Sequence, residues 1–195
     1  MTEVKILIQG YIKETKNVDY VTCTTALIID NDVKIIVDPG MHKKKLINAL
    51  KKEGLKTDDI DYVVLTHNHI DHFLLAGIFE NAKVSDGECF YSFDGKITKH
   101  GNTIPNTNIK IISTPGHDTF HYSLIAKTKE GIVGIVSDLW WWTDDEEQKT
   151  DYKSLINKKD IYVTNKKELV KSRKKILKLA DYIIPGHGKM FEVKK

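Results

Sequence analysis

Apolar and polar positions along this chain fall into short compact bursts, and each half of the chain closes on a helical period. The runs 4–10 (VKILIQG), 24–30 (TTALIID) and 33–38 (VKIIVD) are rich in β-branched residues and predict short strands. A tight Asp30-Asn31-Asp32 turn joins the last two, and Asp38-Pro39-Gly40 breaks the sheet. The stretch 41–54 (MHKKKLINALKKEG) then predicts a helix, with Leu46, Ile47 and Leu50 on one face and Gly54 as its C-terminal cap. A buried strand is expected at 62–66 (YVVLT) and a helix at 72–80 (HFLLAGIFE). Further strands are expected at 108–113, 122–126 and 132–137. An amphipathic helix follows at about 165–180, with Leu169, Ile176, Leu177 and Ala180 on its apolar side, before a last strand at 181–185. Strands in both halves, each half finishing with helices, fit an α+β fold in which two sheets pack face to face with helices outside. That is a four-layer αββα sandwich. No repeat or linker interrupts the pattern, so residues 1–195 are read as one domain.

Composition changes this picture little. An apolar share of 41% and a charged share of 29% are ordinary for a soluble globular protein. No apolar run is long enough to span a bilayer and the opening MTEVKILIQG lacks a signal-peptide layout, so no membrane partner and a cytoplasmic location are expected. Cys23 and Cys89 form no close pair and are expected to be reduced. Charge is more informative in its distribution than in its net value of +3. Residues 151–195 hold 13 Lys and Arg against 5 Asp and Glu, a surplus of 13 − 5 = +8 that could draw a polyanion such as RNA, or simply form a solvated helix face. Only Arg173 among the 30 basic residues is arginine, which argues against bidentate readout of DNA bases.

The candidate chemistry lies where strands are expected to end. VVLT runs into His67-Asn68-His69-Ile70-Asp71-His72, IISTPG into His117, IVGIVS into Asp138 and DYIIPG into His187. Alternate residues of an extended segment share a side, so His67 and His69 can face one ion. Asp71 and His72 can swing to a second as the chain turns into a helix. His117 and His187 would bring each ion to about three protein ligands, leaving a place for water, and Asp138 could span both. Histidine nitrogen and carboxylate oxygen suit zinc, iron or manganese better than calcium. Each group alone is more commonly a turn, cap or core residue, and His42, His100 and His121 are left in that class; the joint pattern points to a metal site.

THNHIDH, STPGHD, VSD and IPGHG, with IIVDPG before them, resemble the ordered motifs of the metallo-β-lactamase fold superfamily from about residue 24 to 190. The resemblance implies an αββα sandwich and a dinuclear site between its sheets. His67, His69 and His117 would hold one ion and Asp71, His72 and His187 the other, with Asp138 bridging and Asp38 orienting ligands from behind. The helix spacing and SRKKILKLADYIIPGHG (172–188) are similar to the metallo-β-lactamase domain-containing protein 1 group, which includes a zinc-dependent endoribonuclease and many metallo-hydrolases.

That likeness implies a hydrolase with two zinc ions, iron or manganese being alternatives. Its metal-bound hydroxide would attack an RNA phosphodiester or a small-molecule ester. Asp71 and Asp138 are the expected catalytic carboxylates. A thioester, lactone or other small ester, as in the glyoxalase II branch, is the alternative substrate; the C-terminal helical region usual in that branch is not expected here, which counts against a glutathione thioester. A mononuclear-iron persulfide dioxygenase is the rival from another class. Trp140-Trp141-Trp142 follow Asp138 closely. Trp140 and Trp141 are expected either to wall the cleft against substrate or to form a hydrophobic plug or homodimer contact.

Overall fold

The computed structural model describes residues 1–194. In the first half, β1 (Glu3–Ile8) leads into a hairpin of β2 (Tyr11–Lys13) and β3 (Tyr20–Thr22), followed by β4 (Thr25–Asp30) and β5 (Val33–Val37). Helix α1 (Lys43–Lys52), β6 (Tyr62–Val64) and the short α2 (Ile70–Phe73) come next, then β7 (Lys83–Ser85), β8 (Cys89–Tyr91) and β9 (Ile97–Lys99). The second half contains β10 (Lys110–Ser113), β11 (Tyr122–Lys127), β12 (Ile132–Trp141), α3 (Tyr152–Asn157), α4 (Lys166–Leu179), β13 (Tyr182–His187) and β14 (Phe191–Glu192). The strands form one sheet of order β1-β4-β5-β6-β7-β8-β9 and another of order β10-β11-β12-β13-β14, with β2 and β3 as a separate ribbon.

The period-2 side-chain pattern of the strands sorts residues into layers. Ala26, Ile28, Ile35, Val37 and Val64 meet Ile111, Leu124, Ile135 and Ile184 in a core between the sheets. Their neighbours Leu27, Ile36 and Val63 face the other way and pack with Leu46 and Leu50 of α1 and with Phe79. On the opposite outer side Val136, Leu139 and Ile183 pack with Leu155 of α3 and with Leu169, Ile176 and Leu177 of α4. The result is the αββα order, held by side chains each worth roughly 1.5–3 kcal/mol of burial. Helix α1 ends where Gly54 takes φ 72°, the left-handed turn that suits glycine. Helix α4 starts at Asn165, whose side chain accepts from the backbone N–H groups of Lys167 and Glu168.

Five stretches depart from the sequence expectations. The helix expected at 72–80 stops after Phe73 and resumes as a 3-10 turn over Ala76–Ile78. Its backbone is diverted: His72 O accepts from Gly40 N at 2.9 Å, and Leu75 N donates to Gly40 O at 3.0 Å. These bonds to the turn after β5 replace the helical ladder, and Gly77 adds a weak helix former. The strand expected to end at Ser137 instead runs on through Asp138 to Trp141, with irregular register on either side of Ser137. The hairpin β2–β3, strands β7 to β9 and helix α3 were not anticipated. Among the described residues, no helix is long and apolar enough to cross a membrane.

Candidate metal centre

The strand ends carrying the expected groups meet at one place. His67, His69, His117 and Asp138 offer ligand atoms within 4.8 Å of one another, and Asp71, His72 and His187 form a second such group. Asp138 stands between the two. Its Oδ2 lies 3.7 Å from His67 Nε2 and 3.5 Å from His117 Nε2, while Oδ1 lies 3.5 Å from His72 Nε2 and 3.6 Å from His187 Nε2. Asp71 Oδ2 completes the second group at 3.6 Å from His72 Nε2 and 3.4 Å from His187 Nε2. His69 turns its Nδ1 to within 3.2 Å of His117 Nε2.

Four imidazoles are held from behind through Nδ1. His67 Nδ1 lies 3.0 Å from Thr66 Oγ1, whose hydroxyl donates to Asp38 Oδ2 at 2.7 Å, so His67 is the donor to Thr66. His72 Nδ1 lies 2.9 Å from the same Asp38 oxygen, which also accepts from Ser137 Oγ at 3.0 Å. His117 Nδ1 lies 2.8 Å from Asp160 Oδ2, and His187 Nδ1 donates to Thr22 O at 2.9 Å. With Nδ1 committed as a donor, each ring leaves the Nε2 lone pair facing inward, the tautomer a cation requires. Asp38 and Ser137 hold left-handed backbone at φ 49° and 48°, and their side chains bond to each other across the two sheets. Conformations of this kind cost about 1–3 kcal/mol each and persist only where surrounding contacts fix them.

Three inward atoms, His67 Nε2, His72 Nε2 and Asp138 Oδ1, are buried with no hydrogen-bond partner. A buried orphan of this type costs roughly 1–3 kcal/mol. Cations placed among these atoms would answer all three at once, and the imidazole and carboxylate donors suit zinc, iron or manganese. The residues therefore fit a pair of metal ions. Burial, reinforced by the neighbouring His72, pushes His67 well below the ordinary histidine range, and burial with His117 nearby lowers His69. Burial opposes charge on Asp138 too, but His72 and His187 outweigh it and hold the carboxyl well below its usual range. At His72 burial is outweighed by Cys23, Asp138 and Asp38, and its pKa is raised. The inward face thus combines an ionised carboxylate with imidazoles that are mostly neutral.

The structure gathers all seven expected ligands, with Asp38 behind His72. The tryptophans are a correction. Trp140 is fully buried away from any cleft, donating Nε1–H to Leu155 O at 2.8 Å and packing on Phe191. Because β12 continues through these residues, side chains alternate, and Trp140 and Trp142 both join the core beneath α3 and α4. Trp141, on the other face, is also buried and donates to Asp160 Oδ1 at 3.3 Å, so it backs His117 instead of walling a substrate cleft. Sequence reasoning missed Thr66, Ser137, Asp160 and Tyr162, while His121 is the buried non-ligand it was expected to be. Thr66 and Ser137 immediately precede ligands, which is a usable signal; Asp160 lies 43 positions from its partner His117 and carries none. Tyr162 is exposed, with its ring centre 5.8 Å from that of His69 and 6.2 Å from that of His117.

Comparison with known proteins agrees with this geometry. The family described as the Metallo-beta-lactamase superfamily matches residues 18–86. Metallo-beta-lactamase domain-containing protein 1 of Xenopus laevis is 27% identical, covering 98% of this chain and 82% of that one. A "Probable metallo-hydrolase" of Methanocaldococcus jannaschii is 31% identical, covering 78% of this chain and 70% of that one. The chain spans 49% of the length of a related Caenorhabditis elegans protein and 63% of the rat metallo-beta-lactamase domain-containing protein 1. Among solved structures, a metallo-beta-lactamase-type protein of Thermotoga maritima superposes with a TM-score of 0.74 at 21% identity, covering 98% of this chain and 99% of that one. The dizinc quorum-quenching lactonase AidC gives 0.63 at 18%, covering 87% and 73%. The diiron chemotaxis sensor ODP gives 0.63 at 16%, covering 95% and 89%. At such identities the structural likeness is one of fold. The chain belongs to the metallo-beta-lactamase superfamily.

Proposed function

We propose that this chain is a dinuclear zinc hydrolase whose leading substrate is an RNA phosphodiester. The observation that carries the metal-dependent reading is the convergence of seven ligand side chains in two adjoining groups, with three of their inward atoms buried and unpartnered. His67, His69 and His117 would hold one ion and Asp71, His72 and His187 the other, with one oxygen of Asp138 turned to each. When bound, the ions would supply Lewis acidity, bringing the pKa of water towards neutrality and stabilising negative charge on a carbonyl or phosphoryl oxygen. Asp138 holds the two groups in register and, despite its burial, is kept ionised by His72 and His187. The Asp71 side chain is 15% exposed, the most open of the two carboxylates, and is placed to take a proton from water. Thr66, Asp38, Thr22 and Asp160 keep the imidazole lone pairs aimed inward.

The RNA reading is supported by the basic surplus of 151–195, because α4 begins beside the His117 loop: Thr164 N donates to His117 O at 3.2 Å. A second reading, a small ester or lactone, is favoured by exposed Ile70 and Leu74, flanking the ligands of α2, and by exposed Ile161 and Tyr162 beside Asp160. The dizinc centre of the lactonase neighbour supports zinc, and the diiron sensor makes iron the alternative.

Elemental analysis of protein purified without added metal should find two zinc ions per chain. One iron per chain, with oxygen consumed on a persulfide, would replace the hydrolase by an oxidoreductase. Zinc-loaded protein should then be offered single-stranded RNA alongside lactone and thioester panels. Cleavage of RNA that vanishes in His69→Ala supports the leading substrate, and turnover confined to the esters moves the assignment to the second.

A further inference from the structure

Asp160 sits outside every motif in the chain, yet it is 8% exposed and carries three polar contacts at the back of the centre. Its Oδ2 lies 2.8 Å from His117 Nδ1, and its Oδ1 accepts from Tyr162 N at 2.9 Å and from Trp141 Nε1 at 3.3 Å. The segment bearing it is clamped on the other side. Arg173, the one arginine of the chain and almost fully buried, donates Nη1–H to Lys158 O at 2.6 Å and Nε–H to Leu139 O at 2.8 Å. Lys158 itself pairs with Glu146 at 2.7 Å and lies over the Trp141 ring at 5.1 Å. Arg173 thus ties the 158–160 segment to the residue that follows Asp138 in β12. A lysine there could not make the two-pronged bond that a guanidinium makes.

We infer that Asp160 is a positioning residue that fixes His117 as the Nδ1–H tautomer and so presents its Nε2 lone pair to the first metal group. This inference rests on the metal-dependent reading proposed above. The two oxygens of Asp160 have different duties. Oδ1 is already occupied by two N–H donors, so only Oδ2 is left to receive His117. That asymmetry makes the conservative replacement the more damaging one. In Asp160→Asn the amide oxygen must stay at the Oδ1 position to satisfy Tyr162 and Trp141, which turns the NH2 group towards His117 Nδ1. Two donors cannot face each other, so the imidazole moves its proton to Nε2 and loses the lone pair that faces the metal. In Asp160→Ala the space is open to water, which can accept from Nδ1–H and keep the productive tautomer.

Metal titration with Co²⁺ or Zn²⁺ against a chelator, on full-length protein, separates the possibilities. Wild type should take two equivalents. Asp160→Asn should bind the first-group ion roughly 10- to 100-fold more weakly, and Asp160→Ala should be less impaired than Asp160→Asn. Long-range ¹H–¹⁵N correlation on metal-free protein should show His117 as Nδ1–H in wild type and Nε2–H in Asp160→Asn, while thermal unfolding confirms that both variants fold. Wild-type affinity for both ions in Asp160→Asn, or a greater loss in Asp160→Ala than in Asp160→Asn, would overturn the inference. Wild-type protein that binds no metal would sink the metal-dependent reading itself, whereas the His117 tautomer could still be read.

Discussion

His121 is fully buried against the metal-binding groups without offering them a ligand atom: its Nδ1 lies 3.0 Å from Thr114 Oγ1, and its ring stacks on His67 at 5.2 Å. Burial, with His117 nearby, pushes its pKa down to about 3 from the ordinary 6.5. The unfolded chain therefore takes up this proton long before the folded one does. Its contribution to stability is complete above pH 6.5 and is lost as pH falls towards 3. His67, His69 and His187, whose values are also lowered, act in the same direction. His72 acts oppositely, because its raised value stabilises the folded state below pH 6.5, a contribution lost as pH rises through the folded value. Metal-stripped protein should consequently lose urea resistance as pH falls from 6.5 to 4.5, with His121 alone contributing roughly 1 kcal/mol per pH unit. His121→Phe should flatten that slope by one group's share; an unaltered slope would count against the assignment. Asp38 is tested by the same kind of measurement. Its two oxygens accept from Thr66 N, Thr66 Oγ1, Ser137 Oγ and His72. Asp38→Asn replaces one acceptor by a donor among them and should cost at least about 1–3 kcal/mol in denaturant unfolding.

The elements deliver these residues through close backbone approach, and two glycines set the tolerance. A Cβ on Gly186 in β13 would stand 1.8 Å from Asp138 Oδ1 and 3.0 Å from the Ser137 carbonyl carbon. Gly186→Ala should therefore push the bridging carboxylate out of place and lower the affinity for both metal groups. Gly77→Ala, where nothing lies within 4 Å of the new Cβ, is the control and should leave binding unchanged. Equal metal stoichiometry and affinity in the two variants would remove the steric argument. Much of this framework was legible before any coordinates. β4, β5 and β11 announce themselves as compact apolar runs and α4 by its helical patterning, and ligands sit beyond the ends of such runs. What escaped is physically distinct. The Gly40–His72 backbone exchange that cuts α2 short is a contact across 32 positions, invisible to a local window. β7, β8 and β9 are three residues each, too short for periodicity to register. Trp140 stayed open between a cleft wall and a hydrophobic plug because the strand was expected to end before Asp138; once β12 runs through it, alternation sends that ring into the core. Thr66 and Ser137 could have been suspected from their adjacency to ligands, but Asp160 is paired with His117 by tertiary folding alone.

At the scale of the whole molecule the substrate question becomes one of charge layout. Lys167, Lys171, Lys174 and Lys178 are all exposed and recur at i, i+4, i+7 and i+11, which places them on one face of α4. That face lies opposite the buried Leu169, Ser172, Arg173, Ile176 and Leu177. The stripe starts near the His117 loop and runs for much of a helix about 20 Å long. The acidic loop at 144–147 offsets it little, since Glu146 is already paired with Lys158 and Glu147 with Lys149. If RNA lies along this stripe, each neutralised phosphate releases a counterion, and the logarithm of affinity should fall against that of salt with a slope of about −0.7 per contact. Four contacts give a slope near −3, so a tenfold rise in salt should weaken binding by roughly several hundred-fold. Replacing the four lysines by glutamine should flatten the slope to near zero for these contacts while leaving metal content intact. A small neutral ester makes no such contacts, so its KM should respond to neither salt nor the quadruple replacement. RNA binding that ignores both changes would detach the basic stripe from the centre and leave the apolar rim of Ile70, Leu74, Ile161 and Tyr162 as the surface that chooses the substrate.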